Sequence, residues 1–162
     1  MFSKQESINF IIGLIFNQSY DSDMAWKAPM LLKDRLDPLN INLMDIERYG
    51  LNKLINAMCN PTCLHRFPTK IANYIYNSIS IINSIYDGDP RRIWENKNYK
   101  SIIENLRKLD GIGEHKAIQG LIILNQLDKS IKVPQKYYNH MEEKCSSFLK
   151  NIEIDIGYIK LN

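Results

Sequence analysis

Leu109-Asp110-Gly111-Ile112-Gly113-Glu114-His115-Lys116-Ala117 is the stretch whose residue types and spacing point most directly to a chemistry. Two glycines around one apolar residue let the chain reverse sharply and bring bare backbone close to another surface. If a helix starts near Glu114, the amide N–H groups of Gly111, Ile112 and Gly113 gather at its N-terminus, where the helix dipole favours an anion. Ile112 can plug the angle between the flanking helices, and Ala117 is small enough to let them approach. A phosphate fits such a turn, with His115 and Lys116 beside it and Lys116 adding charge. The plainer alternative is a glycine C-cap followed by a loop and an unrelated helix. The apolar helix on each side, and the placing of Ala117 and Lys116, favour the phosphate-binding reading.

Other reactive residue types form weaker patterns. Cys59, Cys63 and His65 are three potential ligands, but their spacing is poor for zinc and a fourth is not evident. Buried thiols and a turn histidine are the simpler reading, and no metal is expected. An iron–sulfur cluster needs four closely spaced cysteines, whereas Cys145 stands alone near the C-terminus. No cofactor is therefore expected. Arg91-Arg92, after Asp89-Pro90, could touch phosphate or simply form a solvated helix start.

The elements that must position these residues read as helices. Ile8 to Phe16 is apolar nearly all round, as a central buried helix would be. Asp21 is a good N-cap for the next segment, with Ser22 and Asp23 favourable in its first turn. Pro29 should kink or split that segment. Asn42 to Tyr49 and Leu51 to Met58 read as two short helices separated by Gly50. Lys70 to Tyr86 carries Ile71, Tyr74, Ile75, Ile79, Ile82 and Ile85 at helical spacing. Asp87-Gly88-Asp89-Pro90 ends it. Tyr99, Ile102, Ile103, Leu106 and Leu109 mark the helix before the hairpin, and Glu114 to Leu127 the helix after it. A last helix carries Tyr137, Met141, Cys145 and Phe148 on one face. The expected class is all-α, a single domain over 1–162 with its helix-hairpin-helix at 98–127.

Composition sets bounds on this picture. The chain has 162 residues, 44% of them hydrophobic, which suits one domain with a packed core rather than disorder. The formal charge of +3 permits contact with nucleic acid without arguing for it. Three cysteines cannot form a full disulfide framework and suit a reducing compartment. The first residues lack the basic start and apolar run of a signal peptide, and Phe10 to Phe16 is too short to span a bilayer. A monomer in the cytoplasm, associated with the nucleoid and not with membrane, is expected.

With the hairpin in place among these helices, the sequence resembles the helix-hairpin-helix (HhH-GPD) superfamily of base-excision DNA glycosylases, most of all its short bacterial members. The landmarks are Gly13-Leu14-Ile15-Phe16-Asn17-Gln18, Lys27-Ala28-Pro29 with Leu31-Leu32 and Arg35-Leu36, His65-Arg66-Phe67-Pro68, Tyr86-Asp87-Gly88-Asp89, Trp94 and the hairpin. The resemblance runs from about Ile8 to Tyr138. The resemblance implies two helical lobes with a cleft between them, and double-stranded DNA as partner. It also implies that the hairpin holds phosphates while Gln18 enters the duplex near an extruded base. On local grounds Gln18 could equally cap the end of its helix.

The sequence departs from that family at the catalytic acid. Members place an Asp beyond the hairpin, just after a short apolar segment, to stabilise the sugar cation or activate a water. Here Ile131-Lys132-Val133 matches the segment, and Pro134 stands at the acid position. Bifunctional members carry a Schiff-base Lys where this chain has His115, so lyase chemistry is not expected. Hydrolysis would need another acid, with Asp21, Asp23 and Asp128 as candidates. Asp21 also reads as a cap, and Asp23 and Asp128 as solvated residues. Of the aromatic residues, which mostly serve cores, Tyr137 and Tyr138 are the candidates for a base pocket because they follow Pro134. Two functions are in view. One is a monofunctional DNA N-glycosylase that extrudes and releases a damaged or modified base. The other is a catalytically inactive DNA-binding or lesion-sensing protein.

Overall fold

The computed structural model describes residues 2–17 and 22–160. Gln18 and Asp21 lie outside the described residues. The first helix, α1 (Lys4–Phe16), is set by a capping box in which Ser3 Oγ accepts from the Glu6 amide and the Glu6 carboxylate accepts from the Ser3 amide. All residues from Ser7 to Phe16 are buried, so α1 is the central helix its all-round apolar sequence calls for. Helix α2 (Ser22–Leu36) crosses it at Gly13, where a β-carbon would lie 2.2 Å from the Trp26 ring. Hydrogen at that position is what lets the two backbones meet.

Pro29 does not break α2. The helix continues through it to Leu36. One hydrogen bond is lost, but the turns on either side are held by the Asp23–Lys27 and Lys33–Asp37 pairs and by burial of Trp26, Leu32 and Leu36. Asn42–Tyr49 also differs from expectation, forming a 3-10 turn over Leu43–Arg48 capped by Asn42. Then α3 (Leu51–Cys59) packs on α4 (Pro68–Ile85), which starts with proline at a first-turn position and ends at positive-φ Asp87 and Gly88. Between α3 and α4, the Arg35 guanidinium donates to the carbonyls of Ala57 and Thr62 and pins the connector down.

Helix α5 (Tyr99–Arg107) is capped by the Asn98 side chain, and α6 (Glu114–Leu127) follows the hairpin. Residues Ala117–Leu124 of α6 are buried, a second central helix packed near Phe10 and Leu14 of α1. The single last helix read from the sequence is two. Cys145 leaves helical geometry (φ −156°), separating α7 (Gln135–Lys144) from α8 (Ser146–Lys160). The break lets Met141 and Phe148 both reach the interior while α8 turns back onto α1 and α2. The fold is all-helical: among the described residues there is no strand, and no helix is long and apolar enough to cross a membrane.

Candidate nucleic-acid interface

The hairpin between α5 and α6 is a rigid turn. Leu109 and Ile112 are buried beneath it, and the Ile112 amide donates to the Leu109 carbonyl at 3.2 Å. Gly111 has φ +79°, and a β-carbon there would lie 2.6 Å from the Tyr74 ring, so both backbone and packing require glycine. The turn is fastened to α4 by Asn77, which donates to the Asp110 carboxylate at 2.8 Å, and by Ser78, which donates to the Asp110 carbonyl at 3.4 Å.

Gly113 differs from Gly111. Its backbone is ordinary extended chain (φ −81°), and a β-carbon on it would meet nothing within 4 Å. It faces open space at the head of α6, where no side chain caps the helix. The first α6 bond runs from the Ala117 amide to the Gly113 carbonyl at 2.9 Å, so the Glu114 and His115 amides have no acceptor within the helix. An uncovered turn with outward amides at the positive end of a fourteen-residue helix is electrostatically suited to phosphate.

Lys116 does not add its charge outward as the sequence suggested. Its ammonium donates to the Ile15 carbonyl at 3.0 Å and to the Gly111 carbonyl at 2.9 Å. It ties the hairpin to the C-terminal end of α1, whose last turn has no basic residue of its own. Burial, with a smaller effect of Lys70, brings its pKa down to about 8. The outward side chain is His115, whose Nδ1 lies 3.2 Å from His140 Nε2 on α7. Burial, then the charges of His140 and Lys144, hold the His115 pKa below its ordinary value.

Beside the hairpin, α4 offers groups that sequence reasoning did not assign. Lys70 lies over the Tyr74 ring that backs Gly111. Just before α4, Phe67 is 45% exposed with the Arg66 guanidinium 4.8 Å from its ring centroid. Its amide donates to Nδ1 of His65, which is itself buried edge-on to Phe16. The run His65–Pro68 stood out in the sequence, yet an exposed Phe beside an Arg is a fact of tertiary placement.

Two of the candidate acids, Asp23 and Asp128, are each engaged with groups of the protein itself. Asp23 accepts from Lys27 and from the Tyr158 hydroxyl, both at 2.7 Å, and these bonds hold its carboxyl below the usual range. Asp128 caps the far end of α6, about 20 Å from Gly113 at helical rise. It accepts from the Ser130 amide, and the Ser130 bonds lower its pKa. Pro134 serves as N-cap of α7. Of the proposed base-pocket residues, Tyr137 packs edge-on against Tyr99 and Tyr138 donates to Asn125 at 2.9 Å, so both are engaged with the body of the protein. One carboxyl went unnoticed in the sequence. Asp155 on α8 is 3% exposed, and burial, then Asp23, push its pKa up to about 7.

Among the described residues no three metal-ligating side chains converge, and Cys59, Cys63 and Cys145 are free thiols. A cavity of about 640 Å³ lies by the N-terminal half of α1, lined by Ile8, Ile12, Pro29 and Leu36 with Lys4 and Lys33. The hairpin packs at the other end of α1. Comparison with protein-family models, with curated proteins and with solved structures finds no match to this chain.

Proposed function

We propose that this protein binds duplex DNA in the manner of a base-excision glycosylase, holding backbone phosphate on the hairpin of residues 109–117. The observation that carries this reading is Gly113, open to solvent at an uncapped helix start, on a turn fixed from behind by Tyr74, Asn77 and Lys116. Rigidity matters because amides already aimed at the phosphate lose little freedom on binding. In this reading Arg66, Phe67 and Lys70 lie on the DNA side of α4, and the two-lobed glycosylase architecture is the arrangement that would bring Gln18 to the same duplex.

Base release is the activity to seek, by monofunctional hydrolysis of the N-glycosidic bond. A second reading, lesion binding without chemistry, is favoured by one observation: Asp23 and Asp128 are engaged elsewhere and Pro134 carries no charge. Fluorescence anisotropy with intact and lesion-bearing duplexes, followed by a base-release assay on the same panel, separates these readings. Binding that is lost in Gly113→Trp, with the fold intact by circular dichroism, supports the hairpin clamp. Unchanged binding in that variant refutes it. Released base supports the glycosylase, and tight binding without release supports the sensor.

A further inference from the structure

His115 and His140 belong to different helices and are 25 positions apart, yet their rings meet with centroids 5.4 Å apart and one nitrogen pair at 3.2 Å. Such a pair can hold a single inter-ring hydrogen bond, with one imidazole donating and the other accepting. Lys144 stands one turn after His140 on α7, and its charge also bears on His115. Three basic groups thus converge beside the hairpin. No carboxylate compensates them: Glu114 on α6 and Glu142 and Glu143 on α7 are neighbours in sequence, but no carboxylate pairs with either ring among the described residues. The Lys116 ammonium is turned away to Ile15 and Gly111. Of the helices packed against α6 and α7, α5 carries Lys100, Glu104 and Arg107 and α8 carries Lys150, Glu153, Asp155 and Lys160, and none of these bonds to the imidazoles.

We propose that His115, His140 and Lys144 form a second phosphate site beside the hairpin, filled by the DNA backbone together with uptake of a proton from solvent. The inference rests on the duplex-binding reading and adds a pH dependence to it. In the free protein each added positive charge at the cluster repels the others. A phosphate diester supplies the missing negative charge, and its oxygens accept from ring N–H groups in place of the inter-ring bond. The protonated pair is therefore favoured in the complex, so duplex affinity rises as pH falls.

The test is duplex binding by fluorescence anisotropy between pH 5.5 and 8 at fixed ionic strength, for wild type, His140→Gln and His115→Asn. Uptake of one proton changes affinity by up to about tenfold per pH unit across the window between free and bound pKa values. Wild type is expected to gain about tenfold over the whole range, and each variant less than about threefold. Both positions are at least partly exposed, and circular dichroism checks that the variants fold. A contribution from the third histidine, buried His65, would persist in both variants. A flat wild-type profile, or an unchanged slope in the variants, overturns the second site while leaving the hairpin clamp standing. No duplex binding at any pH overturns both.

Discussion

Asp155→Asn should make the protein more stable at pH 8 and leave it nearly unchanged at pH 4. The Asp155 carboxyl is buried on α8 where that helix closes over α1 and α2, facing an Asp23 that Lys27 and Tyr158 keep ionised. Its pKa rises from an ordinary 3.8 to about 7 in the folded protein. The native state therefore binds this proton more tightly than the unfolded chain. The resulting stabilisation is complete below about pH 4 and is lost as pH rises through about 7. A rise of that size would correspond to about 4 kcal/mol, and relaxation around a partly hydrated carboxylate brings the expected loss to about 2–4 kcal/mol. Asn cannot ionise, so the variant should escape this loss and gain roughly 5–12 °C in Tm at pH 8. Urea unfolding of both proteins at pH 4, 6 and 8 measures it. His115, whose pKa is lowered on folding, adds stability in the opposite direction as pH rises through its range, and cancels in the comparison. Parallel pH profiles for wild type and variant would show that Asp155 is not held protonated in the fold.

Gly111→Ala should cost about 1–3 kcal/mol in urea unfolding, because alanine at φ +79° is strained and its β-carbon meets the Tyr74 ring. Gly13→Ala should cost about 2–4 kcal/mol, since the Trp26 ring blocks its β-carbon and neither helix can withdraw without opening the core. Lys116→Met should destabilise by about 1–3 kcal/mol through loss of the tie between Ile15 and Gly111. The same variant should leave the salt dependence of duplex binding unchanged, whereas a direct phosphate contact by Lys116 would lower the log–log slope by about one.

Local pattern was enough for the parts of this fold that are locally decided. The apolar run of α1, the isoleucine spacing of α4 and the hairpin glycines each announce their structure, because helical period and turn chemistry are properties of neighbouring residues. The direction of Lys116 was not legible: the same side chain can point to solvent or to carbonyls, and the Ile15 carbonyl at the C-terminal end of α1 decides it. The α7–α8 break was hidden because Tyr137, Met141, Cys145 and Phe148 keep helical spacing across it, while burial of α8 on α1 and α2 provides the reason to turn. His140 and Asp155 carry no motif. They matter through His115 and Asp23, partners 25 and 132 positions away that only the tertiary fold brings near.

The proposed hairpin clamp is tested most directly by backbone amide NMR during titration with a short duplex. The hairpin clamp predicts the largest shifts at Gly111, Gly113, Glu114 and His115, extending to Lys70 and Phe67 across α4. Shifts centred instead on Lys4, Lys33 and the cavity at the other end of α1, with the hairpin amides unmoved, would contradict it.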